Sequence, residues 1–183
     1  AIGGDVNAYS QLATLLHGAF DVYAIESPLL YAHAAPASLE ELAAAYADLV
    51  RQAGLPGPIV LGGWSLGGVI AAEIARQLHE ACHALVLIDS HVAARTVQHP
   101  RRLARQMLAR EIGLDTTLQA PHPRMIDSMG DLLAIAHAQQ RLPQQVTVDD
   151  LEAQAEIIHG HLLLWHAHQP AAVDVPTLYI APE

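Results

Sequence analysis

The sequence contains no lysine: all nine basic residues among its 183 are arginines. Mechanisms that need a phosphate-loop lysine or a lysine Schiff base are thereby excluded. Cysteine occurs once, as Cys82, so no intrachain disulfide can form, and the chain fits a reducing, cytoplasmic setting. Positive charge is scarce. Nineteen acidic residues against nine basic ones give a formal charge of −10, which argues against nucleic acid as a partner because phosphates would be repelled. No apolar run reaches the roughly 18 residues of a membrane span, so no membrane partner is expected, and no basic segment leads into an apolar one as a signal peptide would. What is present is a 52% share of apolar residues, enough for a real core, in a length that suits one domain over residues 1–183.

Short apolar runs alternate with helical patterns over the first two-thirds of the chain. Residues 20–25 have the β-branched and aromatic content of a strand. Ser38 suits a helix N-cap, and Glu41 three residues on completes a capping box. Leu42, Tyr46, Leu49 and Val50 then recur at helical spacing until Gly54 to Pro58 stop the pattern. Residues 59–61 and 84–88 are fully apolar, as expected of strands buried on both faces, with a helix over 66–78 between them. Short connections between alternating strands and helices predict an α/β fold with a mostly parallel sheet and helices on both faces. From Val92 to Gln169 strand signals vanish and helical stretches are broken by Pro100, Pro121, Pro123 and Pro143; residues 177–180 then resume the strand pattern. The block 92–169 is therefore expected to be a helical insertion within the domain. Ala1 to Gly4 read as a loop leaving a strand, and Glu183 follows directly on a strand, so the chain is expected to be truncated at both ends.

The chemistry concentrates in Gly62-Gly63-Trp64-Ser65-Leu66-Gly67-Gly68. Gly63, Ser65 and Gly67 form G-x-S-x-G between an apolar strand and an amphipathic helix, the context of a nucleophile elbow of the α/β-hydrolase fold. The sharp turn holds Ser65 at a helix N-terminus, and Gly63 and Gly67 are expected to be there because a Cβ would collide with the neighbouring strand or helix. A dinucleotide-binding loop would need glycine where Ser65 stands. A serine nucleophile needs a base, and the base an orienting acid. Asp89 qualifies as that acid: it follows the strand 84–88, one helix and one strand after Ser65, which returns the chain to the same carboxyl edge of the sheet. A plain capping role for Asp89 is the alternative. The oxyanion hole would take one N–H from Leu66, the residue after the nucleophile, and one from the loop Ile2-Gly3-Gly4-Asp5.

Ile2-Gly3-Gly4 followed by Tyr9, the elbow, and Leu87-Ile88-Asp89-Ser90 together resemble the terminal thioesterase domains of nonribosomal peptide synthetases and polyketide synthases. The resemblance implies Ser65 as nucleophile, Asp89 as triad acid, the N–H groups of Leu66 and Ile2 as oxyanion donors, and 92–169 as a lid over the acyl channel. It implies a substrate carried as a thioester on the phosphopantetheine arm of an upstream carrier domain, no cofactor or metal bound by the domain itself, and release by hydrolysis or cyclisation. It places the catalytic His on a loop beyond the strand 177–180, outside this chain. Two rival readings remain open: a stand-alone editing thioesterase or general esterase whose acid follows a later strand, and a non-catalytic hydrolase-fold binding module.

The remaining signals are weaker. His159, His161, His166 and His168 crowd one segment; as a substitute base or zinc site they lack Cys and carboxylate partners at ligand spacing, which favours ordinary helix residues. His91 stands too near Asp89 in the chain to be the obvious base. Arg95, Arg101, Arg102, Arg105 and Arg110 place five of the nine arginines within 16 positions, a cluster suited to a phosphate or an acidic carrier, or else a solvated helix face. Met107, Leu108, Met125, Met129, Leu132 and Leu133 suit either an acyl channel or the insertion's own small core.

Overall fold

The computed structural model describes residues 2–31, 36–91, 98–114 and 128–182. Ala1, Val92, Arg95, Pro121, Pro123, Met125 and Glu183, named above, lie outside them. The chain divides into two compact units, Ala1–Thr96 with Leu164–Glu183, and Val97–Leu163.

In the first unit, a short turn at Asn7–Tyr9 leads into α1 (Ser10–Leu16). Helix α2 (Leu39–Ala53) begins as its sequence dictates. The Ser38 hydroxyl accepts the Glu41 N–H at 3.1 Å, while Glu41 Oε2 reaches back one residue past the cap to accept the Ala37 N–H at 2.7 Å. Gly54, in the left-handed conformation, ends it. Strand β1 (Ile59–Trp64), helix α3 (Leu66–Leu78) and strand β2 (Cys82–Ile88) follow. Strand β3 (Thr177–Ile180) completes a parallel sheet of order β1-β2-β3. Helix α3 packs on β1 and β2, and α2 packs on α3. Leu39, Leu42, Ala43, Tyr46, Ala47 and Val50 of α2, with Ile70, Ala71, Ile74 and Leu78 of α3, are buried, the period-3.6 stripes that the apolar spacing predicts.

Two expectations are corrected. Residues 20–25 form no strand; Phe20, Val22, Tyr23 and Ile25 are exposed. A strand is made by its partner's ladder, and among the described residues no strand lies beside this run, so β propensity alone produces only extended chain. Nor is β1 buried on both faces. It borders the described sheet, and Val60 and Trp64 are exposed, whereas Leu85 in central β2 is 1% exposed.

The second unit holds α4 (Pro100–Glu111), α5 (Met129–Ala138) and most of α6 (Val148–Ala167). Ala104, Leu108, Ala109, Leu114, Met129, Leu132, Ala136, Leu151, Ala155, Ile158 and Leu162 are buried. Leu108, Met129 and Leu132, expected in either a channel or a core, therefore belong to a core.

Candidate active site

The register of the sheet sets the site. Trp64 pairs with Ile88, and Ile88 with Ile180, so Ser65 and Asp89 are each the first residue past the carboxyl end of neighbouring parallel strands. Strands in a sheet lie about 4.8 Å apart. The ladder extends just far enough to hold both residues: the Ser65 N–H donates to the Ile88 carbonyl at 2.9 Å, and the Asp89 N–H to the Ile180 carbonyl at 2.8 Å.

Both residues have left-handed φ. Ser65 sits at φ 55°, ψ −124°, and Asp89 at φ 45°. Such a conformation is strained for a serine, and it persists only because the surroundings enforce it. The surroundings are tight. A Cβ on Gly63 would come within 2.2 Å of the Gly67 carbonyl carbon and oxygen. One on Gly68 would meet the Ser90 hydroxyl at 2.0 Å and the Gly63 carbonyl oxygen at 2.9 Å. The glycine at 63 is thus explained as its motif predicts. A further close approach falls at Gly68, which the motif does not include. Ser90 forms the other wall: it is buried, and its hydroxyl faces the Ile88 carbonyl at 3.0 Å and the Gly63 carbonyl at 3.4 Å.

Leu66, 1% exposed, opens α3, so its N–H is one that a helix start leaves without an intrahelical acceptor. The loop 2–5 is buried at Ile2, Gly3 and Gly4. Gly4 takes φ 86°, and its carbonyl accepts the Ser27 N–H at 2.8 Å; Asp5 Oδ1 accepts the Asn7 N–H at 2.8 Å. Sequence reasoning noted Tyr9 only as part of a resemblance. In the structure its hydroxyl accepts the Trp64 N–H at 3.1 Å. Burial pushes the Tyr9 phenol above its ordinary value, against the opposing pull of that N–H, so it stays neutral at physiological pH.

Several of the described histidines have partners elsewhere. The His91 ring packs at a 60° tilt against Trp165, with centroids 5.2 Å apart, and the Trp165 indole N–H donates to the His91 carbonyl. His168 Nδ1 lies 2.7 Å from Glu40 Oε1, its ring buried. His161 is buried, and His159 Nδ1 lies 3.4 Å from Glu156 Oε2. Among the described residues no imidazole is hydrogen bonded to Ser65 or Asp89, and no cluster of three His, Cys, Asp or Glu could hold a metal ion.

The thioesterase domain family model matches residues 1–169. This chain belongs to the thioesterase domain family. The thioesterase domain is 32% identical over 146 residues to the non-reducing polyketide synthase ntnG of Nectria sp., a match covering 78% of this chain and 6% of that one. Among solved structures it is similar to a four-domain nonribosomal peptide synthetase bound to AMP and glycine, with 27% identity and a TM-score of 0.79 over 98% of this chain and 15% of that one. It is also similar to the NocB thioesterase domain in covalent complex with a fluorophosphonate nocardicin G analog, with 26% identity and a TM-score of 0.67 over 98% of this chain and 69% of that one. The chain spans 4 to 6% of the length of the first two synthases it matches. Its parallel sheet with α3 packed on it is the α/β-hydrolase type of fold expected of such a domain. None of its described helices is long and apolar enough to cross a membrane.

Proposed function

We propose that the domain releases a peptidyl or polyketidyl chain from the phosphopantetheine thioester of an upstream carrier domain through an acyl-enzyme on Ser65. The observation that carries this reading is the backbone of Ser65, at φ 55° between β1 and α3 in a turn too tight for a Cβ at Gly63 or Gly68. A binding module gains nothing from that strain, whereas a nucleophile needs it to stand clear of the sheet at a helix N-terminus. The NocB domain's covalent fluorophosphonate complex supports the same chemistry here.

In the first step Ser65 Oγ attacks the thioester carbonyl as its proton passes to an imidazole, and negative charge develops on the carbonyl oxygen. The N–H groups of Leu66 and Ile2 receive that charge, each worth about 3 kcal/mol in the transition state. The carbon–sulfur bond breaks, the imidazolium returns the proton to the leaving thiolate, and an ester remains on Ser65. Water, or a hydroxyl or amine of the acyl chain, then attacks the ester and regenerates the serine. The sequence of steps balances without a bound cofactor. Asp89 orients the imidazole and stabilises its charged form. The resemblance to terminal thioesterase domains assigns that imidazole to a loop that follows β3. We assign the lid to 92–169.

The test is fluorophosphonate labelling of the intact protein with the adduct mapped by mass spectrometry, alongside turnover of an acyl-pantetheine thioester. Labelling at Ser65, and loss of both adduct and turnover in Ser65→Ala, are expected. An adduct on another residue, or turnover retained in Ser65→Ala, refutes the reading.

A further inference from the structure

Trp64 ends β1 and precedes Ser65. Along a parallel strand, successive N–H groups point to opposite sides. Since the Ser65 N–H bonds Ile88 of β2, the Trp64 N–H points away from β2. There it meets the Tyr9 hydroxyl at 3.1 Å, across 55 residues of sequence. Tyr9 closes the short turn that directly follows the loop 2–5. The far side of that loop is held separately, by the Ser27 N–H on the Gly4 carbonyl. The Tyr9 hydroxyl thus joins the loop's outgoing end to the residue beside Ser65.

We propose that Tyr9 is a positioning residue for the oxyanion hole: by accepting the Trp64 N–H, its hydroxyl fixes the spacing between the loop 2–5 and the elbow, and so between the N–H groups of Ile2 and Leu66. This rests on the function proposed above. An oxyanion hole is effective only when both donors converge to about 2.7–3.1 Å from one oxygen. Its two donors here come from segments more than 60 residues apart in the chain, so nothing local can hold them in register. A tyrosine suits the task because its ring is a rigid spacer with a single acceptor at the tip.

The experiment is Tyr9→Phe in the intact protein, which keeps the ring and removes the hydroxyl. Expected is a fall in kcat of about 10- to 100-fold on an acyl-pantetheine thioester, with KM within about twofold and the thermal midpoint within about 3 °C. A trifluoromethyl ketone analogue, which adds to Ser65 and creates the oxyanion, should lose affinity by the same factor as kcat/KM. An unreactive amide analogue should bind as before, which a merely structural role would not predict. Ring-fluorinated tyrosines at position 9 preserve shape and weaken the oxygen as an acceptor, so kcat should decline stepwise with acceptor strength. An unchanged kcat, equal losses for ketone and amide, or a flat response to fluorination overturns the proposal; the fluorinated series decides it even if Tyr9→Phe misfolds. Ser65→Ala separates the two failures. If that variant still turns over, the acyl-enzyme reading is at fault. If it is dead while every change at position 9 is silent, only the role of Tyr9 falls.

Discussion

A β-carbon at residue 63 would lie 2.2 Å from the backbone of Gly67, whereas one at residue 62 would sit 3.6 Å from the Val86 carbonyl oxygen, an ordinary contact. The two glycines are neighbours in sequence and unlike in consequence. Gly63→Ala should cost about 3 kcal/mol in chemical denaturation, as forced overpacking does, and should abolish fluorophosphonate labelling because the elbow must open. Gly62→Ala should leave both nearly unchanged; equal effects would mean that crowding does not shape the elbow. Asp89 yields a second prediction at this scale. Its φ of 45° is one that asparagine tolerates well, so Asp89→Asn should keep its thermal midpoint. It favours the wrong imidazole tautomer, however, and kcat should fall by about 10³ to 10⁴. A near-normal kcat would move the triad acid to a later strand and return the editing-thioesterase or esterase reading.

Helices α2 and α3 are laced together at Gln77, which a buried carboxylate holds in place. Glu73 of α3, its side chain 4% exposed, takes the Arg76 guanidinium through two bonds of 2.9 and 2.6 Å and the Gln77 amide at 2.8 Å. The same amide donates to the Glu40 carbonyl of α2 at 3.0 Å, and Arg51 of α2 donates back to the Gln77 carbonyl. Arg76, 41% exposed, is screened by water. Arg76→Ala should therefore lower the thermal midpoint by less than breaking a fully buried pair would. The Arg76 bonds, and then Gln77, hold the Glu73 carboxyl below its ordinary value against the cost of burial. A depressed carboxylate stabilises the fold above the unfolded value near 4.5 and loses that contribution as pH falls through its lower folded value. The stability gap between the parent and Glu73→Gln should accordingly narrow on acidification below about pH 4.5. A gap that is constant or widens there would contradict this assignment.

At the scale of the molecule, the net charge of −10 makes the arginines of α4 conspicuous. Arg101, Arg102, Arg105 and Arg110 are all exposed, but they are not equivalent. Arg101 is ion-paired with Glu156 inside its own unit, so reversing it would disturb that unit directly. Arg102 and Arg105 are the informative pair. Reversal of both to Glu should raise KM for a carrier-bound thioester by about tenfold at low salt and by less at high salt, as rim charges do. Turnover of a small free thioester, which lacks both phosphate and partner domain, should not change. Equal losses on the two substrates would mean that the helical unit itself had been damaged.

The features legible in the sequence are those set within a few residues of one another. The start of α2 at Ser38, the limits of α3, the turn at Ser65 and the strand at 177–180 all follow from local chemistry: a capping hydroxyl, an apolar period, a glycine-flanked serine, a β-branched run after proline. Family membership was legible too, because the elbow and the Leu87–Ser90 run are continuous. Tertiary structure decided what depends on partners distant in the chain. Residues 20–25 have strand composition and no neighbouring strand, and β propensity does not replace a ladder. A further glycine, outside the motif, is required at 68 because Ser90, 22 positions later, occupies the space beside it. Tyr9 meets the Trp64 N–H 55 residues away, and His168 is taken up by a carboxylate 128 residues away. Such pairings carry no sequence period or motif, since chain folding brings the partners together only after the local elements exist. For the same reason Ser65 and Asp89 could both be placed from the sequence at one carboxyl edge of the sheet, while the sheet register, which pairs Trp64 with Ile88, shows that their strands are direct neighbours ending at the same level.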